Sequence, residues 1–424
     1  MSGQVDPALL RATGNAVVLG MAGAVDFEIT WSARVMEDLA VRHGIRIDEL
    51  GQDRPIDSER DLVAVILSFV ADGAGGERHV ASSAIIEQFA AQFDTRIALG
   101  GTPVRAAFAL AALGVPCLVH LVAVDDVVRR LLPATCTYIT SARQDSTHPH
   151  LIVQFSEGAC VRVGDADVCA PRPNRLIFTH DPPAEKLRIS SELDAALSNA
   201  QVFLISSLNA IRDPRVLDAR LTQLKRSMER LPAEALVYYE DAGFHVPALS
   251  RRACEGLRGV VDVHGMNEEE MQTHLGYRVD VLDTDEMAAA LTELRSLVAG
   301  PTLVVHTRYW ALSMGSDVQT YERALRGGVT MATRRYVHGD ALGAAVAGAT
   351  PRRPVDPAAT TFAERIRARL GEQVRCIPVV HPTDVAQPTT VGLGDAFVGG
   401  FLGALVGAPP YGRADPTRRR PVGS

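Results

Sequence analysis

The sequence predicts an α/β fold in which a mainly parallel sheet is flanked by helices and accompanied by a smaller α+β lid. From residue 201 onward, short apolar segments alternate with segments of helical spacing, as in residues 202–207, 213–231 and 235–240. Strict alternation of strand and helix is typical of parallel sheets with helical crossovers. The alternation is lost over residues 26–95 and 146–174, which indicates a second, smaller unit.

The two stretches without alternation define the expected domain boundaries. We assign residues 26–95 and 146–174 to the lid. The core then comprises residues 1–25, 96–145 and 175–424, and a chain of 424 residues is long enough for one large unit with a smaller appendage.

The individual elements follow from the period of the apolar residues. Short apolar runs predict strands at residues 15–22, 116–122, 151–155, 202–207, 235–240, 259–263, 303–307 and 376–380. Helical spacing predicts helices at residues 31–50, 82–93, 104–113, 213–231, 361–370 and 398–406.

Composition and charge exclude several classes of protein. Hydrophobic residues at 47% and charged residues at 22% are ordinary for a globular chain, and a net charge of −7 argues against nucleic-acid binding. No apolar stretch is long enough to span a membrane. We therefore expect a soluble, cytoplasmic monomer or small homo-oligomer without nucleic-acid or membrane partners.

The cysteines are scattered along the chain. They stand at positions 117, 136, 160, 169, 254 and 376. No C-x-x-C spacing occurs among them, so their pattern predicts neither a zinc site nor a disulfide framework. Reduced thiols are the expectation for a cytoplasmic protein.

The most informative segment joins a glycine-rich turn to an apolar helix. Thr390 and Val391 precede Gly392-Leu393-Gly394-Asp395, and residues 398–406 continue as a helix. Glycines free the backbone to curl, and the first amides of a helix have no carbonyl partner, so this segment predicts an anion-binding turn. Asp395 would lie beside those amides as a general base, or it would serve only as a first-turn acid that the helix dipole stabilises.

Polar groups near other element ends are candidates to bind a small-molecule substrate. Asp26 follows the first strand, where open α/β sheets place ligand contacts, although a turn residue would fit equally well. Gly100, Gly101 and Thr102 open a helix and suit a sugar hydroxyl or an ordinary tight turn. Glu77 lies in a glycine-rich loop and is either a substrate contact or a solvent-exposed acid.

Acidic groups at the ends of later strands are candidate Mg²⁺ ligands. Glu240 closes one strand, and Asn267 with Glu270 follows the next. These oxygen ligands suit Mg²⁺ bound through water, but Asn267 with its following glutamates is also the pattern of a helix cap. His148 and His150 lack a nearby third ligand, so a loop or sugar contact is expected there rather than a metal.

The string from Thr390 to Asp395 resembles the T-V-G-[LI]-G-D signature of the ADP-dependent glucokinase and phosphofructokinase family, within the ribokinase superfamily. The resemblance implies a ribokinase-like fold, a phosphotransferase acting on an alcohol group, Asp395 as catalytic base and an anion hole at Gly392, Leu393 and Gly394. Residues 170–178 are similar to the family's A-x-R-x-N-R-F-I block, which implies that Arg175 contacts the transferred phosphate.

Further blocks extend the resemblance over nearly the whole chain. They imply that Asp26, Glu77, Gly100, Gly101 and Thr102 bind the sugar, that His306, Tyr309, Thr390 and Val391 contact the nucleotide, and that Glu240, Asn267 and Glu270 hold Mg²⁺. The family uses ADP as donor, and the residues themselves do not separate ADP from ATP. A place in glycolysis or another branch of carbohydrate metabolism is implied in the same way.

Several positions depart from the family pattern and bear on the acceptor. Ala22 and Ala24 replace two asparagines of the sugar motif, Thr102 replaces an amide side chain, and Tyr238 replaces the histidine of H-x-E. A nucleoside, an amino sugar or a specialised metabolite is therefore an alternative acceptor. A catalytically silent sugar- or nucleotide-binding protein is a second alternative, whereas a dehydrogenase is disfavoured because no G-x-G-x-x-G fingerprint occurs.

Overall fold

The structure, a computed structural model, describes residues 16–316, 318–342, 355–380, 382, 385 and 389–406. The strands are β1 Val17–Leu19, β2 Ala24–Ile29, β3 Gly76–His79, β4 Thr95–Gly100, β5 Cys117–Leu121, β6 Cys136–Thr140, β7 Pro149–Phe155, β8 Cys160–Val163, β9 Ala166–Cys169, β10 Asn174–Thr179, β11 Val202–Ile205, β12 Leu236–Glu240, β13 Val263–Asn267, β14 Thr302–His306, β15 Trp310–Gly315 and β16 Val374–Pro378.

Helices connect most of these strands. They are α1 Ala33–Arg42, α2 Glu59–Asp72, α3 Ser83–Ala90, α4 Thr102–Ala112, α5 Asp126–Leu131, α6 Pro182–Lys186, α7 Leu193–Leu197, α8 Pro214–Met228, α9 Ala248–Leu257, α10 Glu268–Leu275, α11 Thr284–Leu297, α12 Val318–His338, α13 Pro357–Leu370 and α14 Leu393–Leu405. Three short 3₁₀ turns occupy Ile47–Glu49, Leu208–Ala210 and Gly371–Gln373.

The large sheet is mainly parallel. Its strand order is β16-β15-β14-β13-β12-β11-β1-β5-β6, and only the β14/β15 and β15/β16 pairs are antiparallel. Separate apolar cores lie on its two faces, one containing Tyr238 and Phe401 and the other containing Tyr239 and Cys254. This arrangement follows from the pleat, because successive residues of a strand point to opposite faces.

The smaller sheet is mixed and has the order β3-β10-β7-β2-β4. Its own apolar core includes Leu62, Val65, Phe89 and Phe178. Strands Thr95–Gly100 and Asn174–Thr179 of this sheet begin at residues 95 and 174, where we expected the two segments of the lid to end. The extent of the lid stays a prediction. The two sheets together form the predicted α/β architecture with a second, smaller unit.

Most predicted elements lie where the sequence placed them, and two do not. The strand expected at residues 259–263 instead spans Val263–Asn267, because Gly259 adopts a left-handed φ of 82° in the turn that precedes it. The helix expected over residues 31–50 ends at Arg42, since Gly44 is also left-handed and only a short 3₁₀ turn follows.

The prediction that no disulfide forms was wrong for one pair of cysteines. Cys160 and Cys169 are joined by a disulfide across the antiparallel β8–β9 hairpin, where they lie directly opposite each other. Their separation of nine residues gave no signal, because only the hairpin register brings the two side chains together. The other four cysteines are free and buried.

Helix α14 lies against the large sheet and packs between α4 and α12. Its crossing with α12 is close because a Cβ on Gly400 would lie 2.4 Å from the carbonyl oxygen of Gly327. Phe401 stacks on Tyr321 and meets the edge of Tyr238. These contacts hold the start of α14 at the carboxyl edge of the parallel strands. Among the described residues, no helix combines the length and apolar character that crossing a bilayer requires.

Candidate active site

The candidate site is centred on residues 391–394, called here the glycine turn, and on the first turn of α14. Gly392 has a left-handed φ of 69°, and no side chain caps the helix that follows. The amides of Gly392, Leu393 and Gly394 have no hydrogen-bond acceptor within the described part of the chain. Asp395 stands beside them with its side chain 24% exposed, so a carboxylate and free amides share one accessible position.

Two arginines pack on the back of the glycine turn. Arg335 donates from Nε to the carbonyl oxygen of Val391 at 2.6 Å. A Cβ on Gly392 would lie 2.7 Å from Cδ and 3.0 Å from Nη1 of Arg105, and 3.0 Å from Nε of Arg335. Gly392 is therefore required both by its backbone conformation and by the close approach of these side chains.

Arg105 links the glycine turn to the smaller sheet. Its guanidinium is 3% exposed, and Nη2 donates to Oδ2 of Asp26 at 2.6 Å while Nε lies 3.9 Å from Oδ2 of Asp395. Burial disfavours the charge, but Asp26 and Asp395 outweigh this effect and raise the pKa of Arg105. The Nη1 atom is buried without a hydrogen-bond partner among the described residues.

The ion pairs around Arg105 form what we call the charged cluster, which consists of Asp26, Glu28, Arg96, Arg105, Arg335 and Asp340. Arg96 pairs with both Glu28 and Asp340, and Arg335 donates to Asp340 at 2.6 Å. Ion pairing with Arg335 and Arg96 overcomes the effect of burial and lowers the pKa of Asp340 to about 2. The cluster therefore connects the smaller sheet to the glycine turn through alternating charges.

Asp26 lies on β2 at the end of β4, which runs antiparallel to it. A Cβ on Gly100 would come within 2.2 Å of the Asp26 carboxylate, so only glycine fits there. Gly101 has a left-handed φ of 84°, and Thr102 begins α4. The structure thus brings the predicted residues Asp26, Gly100, Gly101 and Thr102 together. Burial raises the pKa of Asp26, and the facing Arg105 only partly opposes this effect.

Histidines occupy the other side of Asp26. His150 on β7 has Nδ1 4.0 Å from Asp26 and Nε2 3.2 Å from Asp181. Burial lowers the pKa of His150, whereas the charges of Asp181, Asp26 and Glu77 raise it. The charges outweigh burial, so the pKa lies above its ordinary value. Glu77 lies on β3 rather than in the loop that we predicted, because Gly76–His79 pairs with β10. Nε2 of His245, in the loop after β12, lies 2.8 Å from the carboxylate of Glu77. This hydrogen bond joins the smaller sheet to the loop that follows a strand of the larger one.

Arg175 lies on β10 of the smaller sheet, with an exposed side chain. No hydrogen bond or ion pair joins it to the glycine turn within the described residues, and its charge acts instead on Glu77. Arg105 and Arg335 are the arginines that contact the turn. The predicted phosphate contact of Arg175 stays a prediction.

Glu240 and His306 meet at the ends of neighbouring strands. Parallel pairing of β12, β13 and β14 aligns their carboxyl ends, and Oε1 of Glu240 lies 2.8 Å from Nε2 of His306. The second oxygen, Oε2, is buried with no partner in the described chain. His306 also lies behind the glycine turn, since a Cβ on Gly394 would be 3.1 Å from its Cε1.

Asn267 and Glu270 form a capping box at the start of α10. The Asn267 side chain accepts from the amides of Glu269 and Glu270, and Glu270 accepts from the amide of Asn267 at 2.8 Å. The helix cap that the sequence indicated is therefore present. Burial, followed by the charges of Asp241 and Glu240, raises the pKa of Glu270. A metal role for these two residues stays a prediction.

The remaining predicted nucleotide contacts flank the turn. Val391 is buried, and its carbonyl oxygen accepts a hydrogen bond from Arg335, whereas Thr390 is exposed. Tyr309 follows β14, and the Arg308 guanidinium lies 4.9 Å above its ring. Tyr309 and Thr390 are both near strand and helix ends, where open α/β sheets bind ligands.

Sequence reasoning missed the charged cluster and His245. Arg105 carried the one available signal, because it is a lone arginine in the otherwise apolar helical stretch of residues 103–113. His245 and the Arg96–Asp340 pair gave none, since their contacts to the smaller sheet cross more than a hundred residues of chain.

Comparison with known proteins gives one family and several similar structures. A profile of the ADP-specific phosphofructokinase/glucokinase conserved region matches residues 15–402. A solved structure of a hypothetical ADP-dependent phosphofructokinase from Pyrococcus horikoshii OT3 has a TM-score of 0.74 and 18% identity, covering 92% of this chain and 97% of its own. An ADP-dependent kinase in complex with fructose-6-phosphate and ADPβS has a TM-score of 0.73 and 16% identity, covering 94% and 96%. Such identities show the shared fold. No curated protein sequence matches this chain.

Proposed function

Since the chain belongs to the ADP-specific phosphofructokinase/glucokinase family of sugar kinases, we propose that it transfers a phosphoryl group from ADP to a hydroxyl of a sugar or sugar-like molecule. The observation that carries this proposal is the uncapped glycine turn, whose free amides stand beside the Asp395 carboxylate. A carboxylate and an anion-binding turn at one accessible position are what phosphoryl transfer to an alcohol requires.

In the proposed reaction, Asp395 takes the proton of the acceptor hydroxyl as the oxygen attacks the β-phosphorus of ADP. A new oxygen–phosphorus bond forms, the bond to the bridging oxygen breaks, and AMP leaves with its electron pair. The amides of Gly392, Leu393 and Gly394 hold the negative charge on the transferred group. Most of the acceleration then comes from alignment and charge stabilisation, since the protein forms no covalent intermediate.

The residues near Glu240 fit a divalent cation in part. The buried, unpartnered Oε2 of Glu240 offers an anionic ligand, whereas Asn267 and Glu270 are engaged with each other in the capping box. We propose that Glu240 holds Mg²⁺, with Asn267 and Glu270 acting through water. When bound, Mg²⁺ neutralises charge on the nucleotide phosphates.

ADP is the proposed donor because it is the nucleotide named for the family. A phosphofructokinase from Pyrococcus horikoshii with a similar fold has been solved with AMP. In this chain, His306 and Tyr309 are proposed to lie along the adenine, with Thr390 and Val391 at the phosphates.

Arg175 is proposed to reach the phosphate from the smaller sheet. The lid, which we propose to consist of residues 26–95 and 146–174, would exclude water when it closes.

The acidic residues proposed to bind the acceptor already contact basic side chains. Asp26 is ion-paired with Arg105, and Glu77 is hydrogen-bonded to His245, while the alanines at 22 and 24 offer no polar side chain. This chemistry keeps a nucleoside or specialised metabolite as a second candidate acceptor beside glucose and fructose 6-phosphate.

The test is a product assay with full-length enzyme and Mg²⁺. ADP or ATP is combined with glucose, fructose 6-phosphate, ribose or adenosine. The nucleotides are separated by ion exchange, and the phosphorylated acceptor is identified by its mass in mass spectrometry. AMP formed in equal amounts with a phosphorylated acceptor supports the proposal. Nucleotide binding without turnover over the whole panel would favour a silent binding protein, and turnover with ATP alone would overturn the assignment of the donor.

A further inference from the structure

Four side chains with metal-binding chemistry meet at a position that the kinase reaction does not use. They are Asp241, Cys254, His264 and His274, and one ligand atom of each lies within 4.8 Å of all the others. The first three are buried, and His274 is nearly so. They come from four elements, namely the end of β12, α9, β13 and α10.

This group lies on the face of the large sheet opposite Asp395. Tyr238 points towards Phe401 of α14, whereas Tyr239 belongs to the core that contains Cys254. Glu240 and Asp241 continue this alternation, because Glu240 contacts His306 while Asp241 accepts from the hydroxyl of Tyr239. The two carboxylates are thus neighbours in sequence but serve different sites.

The Asp241 carboxylate is oriented by two donors on one oxygen, and its other oxygen faces the two histidines. Oδ1 accepts from the Tyr239 hydroxyl at 3.0 Å and from the amide of Ala242 at 2.8 Å. Oδ2 faces His264 at 3.4 Å and is in contact with Nε2 of His274. Carboxylate ligands of metals are commonly held by outer hydrogen bonds of this kind.

The two histidines have different roles, which follow from their hydrogen bonds. The amide of Ala299 donates to Nδ1 of His264 at 3.1 Å, so in the neutral ring the proton is on Nε2. His264 therefore donates from Nε2 to Asp241 and has no lone pair there for a metal. No amide donates to Nδ1 of His274 among the described residues, so its ring can carry the lone pair on Nε2. A bound ion would there replace the hydrogen bond between Nε2 and Oδ2 of Asp241.

We propose that Asp241, Cys254 and His274 bind a Zn²⁺ ion, with His264 and Tyr239 orienting the Asp241 carboxylate. A thiolate together with an imidazole and a carboxylate favours Zn²⁺ over Mg²⁺ or Ca²⁺, which prefer oxygen ligands alone. The three protein ligands leave one position for water or another small ligand. The spacing of the cysteines gave no sign of this site, because each ligand comes from a different element.

The ion would tie α9 and α10 to the end of β12. That strand end also carries Glu240, and α10 carries the Asn267–Glu270 capping box at its start. The proposed zinc would therefore stabilise the edge of the sheet from the face opposite the reaction. Its presence does not depend on the proposed kinase function.

The first measurement is the metal content of the full-length protein purified without chelators. We expect about one zinc per chain. After removal by a chelator, addition of Co²⁺ should give the near-ultraviolet absorption of a thiolate-to-cobalt transition, and addition of Zn²⁺ should raise the melting temperature. Mg²⁺ alone should give no thiolate-to-metal absorption.

Variants separate this site from other cysteines. Cys254→Ser should abolish the Co²⁺–thiolate absorption, whereas Cys376→Ser, which changes another free buried cysteine, should keep it. His264→Gln should weaken zinc binding by about 10–100-fold without removing the absorption, as expected for an outer-shell residue. Retention of the Co²⁺–thiolate absorption in Cys254→Ser would overturn the proposed ligand set.

If a variant fails to fold, Zn²⁺ binding to the wild-type protein still tests the proposal. Chelator-treated wild-type protein that remains folded by circular dichroism, yet binds no Zn²⁺ in competition with a colorimetric indicator, would show that the four side chains form only a hydrogen-bonded group. Loss of zinc without loss of kinase activity, or the reverse, distinguishes this proposal from the proposed function.

Discussion

Nε of Arg105 lies 3.9 Å from Oδ2 of Asp395, so the proposed base of the reaction faces a buried guanidinium. The same guanidinium bonds Asp26 on the smaller sheet at 2.6 Å. Arg105 therefore places a fixed positive charge between the residue expected to hold the acceptor and the residue expected to activate it.

Replacement of Arg105 should destabilise the protein. In Arg105→Met, Asp26 and Glu28 remain buried without the positive partner that they share, which we expect to cost about 3–5 kcal/mol of unfolding free energy. Urea denaturation measures the change, and Arg46→Met, at an exposed ion pair, provides a control with little effect. The double variant Arg105→Met/Asp26→Asn should be less destabilised than the sum of the single changes. Additive losses would mean that the pair is not coupled.

Asp395→Asn should reduce kcat by about 100–10,000-fold, the usual contribution of a general base. The amide keeps the size of the side chain but cannot take the hydroxyl proton, so nucleotide affinity should change little. Steady-state kinetics and nucleotide titration measure the two effects separately. Asp126→Asn, at a fully exposed helix position, is the matched control. A variant at 395 with wild-type turnover would eliminate this residue as the base.

Glu240→Gln should raise the Mg²⁺ concentration needed for half-maximal activity. The amide oxygen still accepts from His306, which leaves an NH2 group, unable to bind a cation, where the buried, unpartnered Oε2 now lies. We expect an increase of about 10-fold or more, in the range found when metal-site residues are altered. Activity measured against Mg²⁺ concentration gives the result. An unchanged Mg²⁺ requirement would place the cation elsewhere.

Stability should fall in mild acid because of His120. Its neutral ring donates from Nδ1 to the carbonyl of Met21 at 3.1 Å and accepts at Nε2 from the amide of Ser190 at 2.8 Å. Burial lowers the pKa of His120 to about 4 from an ordinary value of 6.5. The unfolded chain then binds the extra proton, so this stability is complete above pH 6.5 and is lost as the pH falls towards 4.

The expected loss from His120 is about 2 kcal/mol at pH 5 and about 3 kcal/mol below pH 4. Urea denaturation at pH 7.5 and pH 5 measures it. His120→Gln should be less stable at pH 7.5 but should lose less on acidification than the wild type does. Equal losses in both proteins would assign the acid sensitivity to other groups.

The Cys160–Cys169 disulfide should stabilise the β8–β9 hairpin. Closing a loop of this length restricts the unfolded chain by about 2–3 kcal/mol. Reductant should lower the unfolding free energy of the wild type by this amount and leave Cys160→Ser/Cys169→Ser unchanged. Thiol titration in denaturant without reductant should find the four cysteines outside this pair. Six free thiols would show that the bond is not formed.

The sequence by itself determined the architecture and the centre of the candidate site. Alternation of apolar strands and amphipathic helices specifies a parallel sheet because both are local patterns of side-chain burial. Gly392 and Asp395 were identifiable for the same reason, since the uncapped helix start is built from consecutive residues.

Only the tertiary structure decided which charges meet. Arg105, Asp26 and Asp395 come from three distant elements, and the pairing of Asp241 with His264, His274 and Cys254 comes from four. The disulfide likewise depends on hairpin register rather than on spacing. Such contacts are set by the packing of elements far apart in the chain, and this packing leaves no periodic signal in the sequence around each residue.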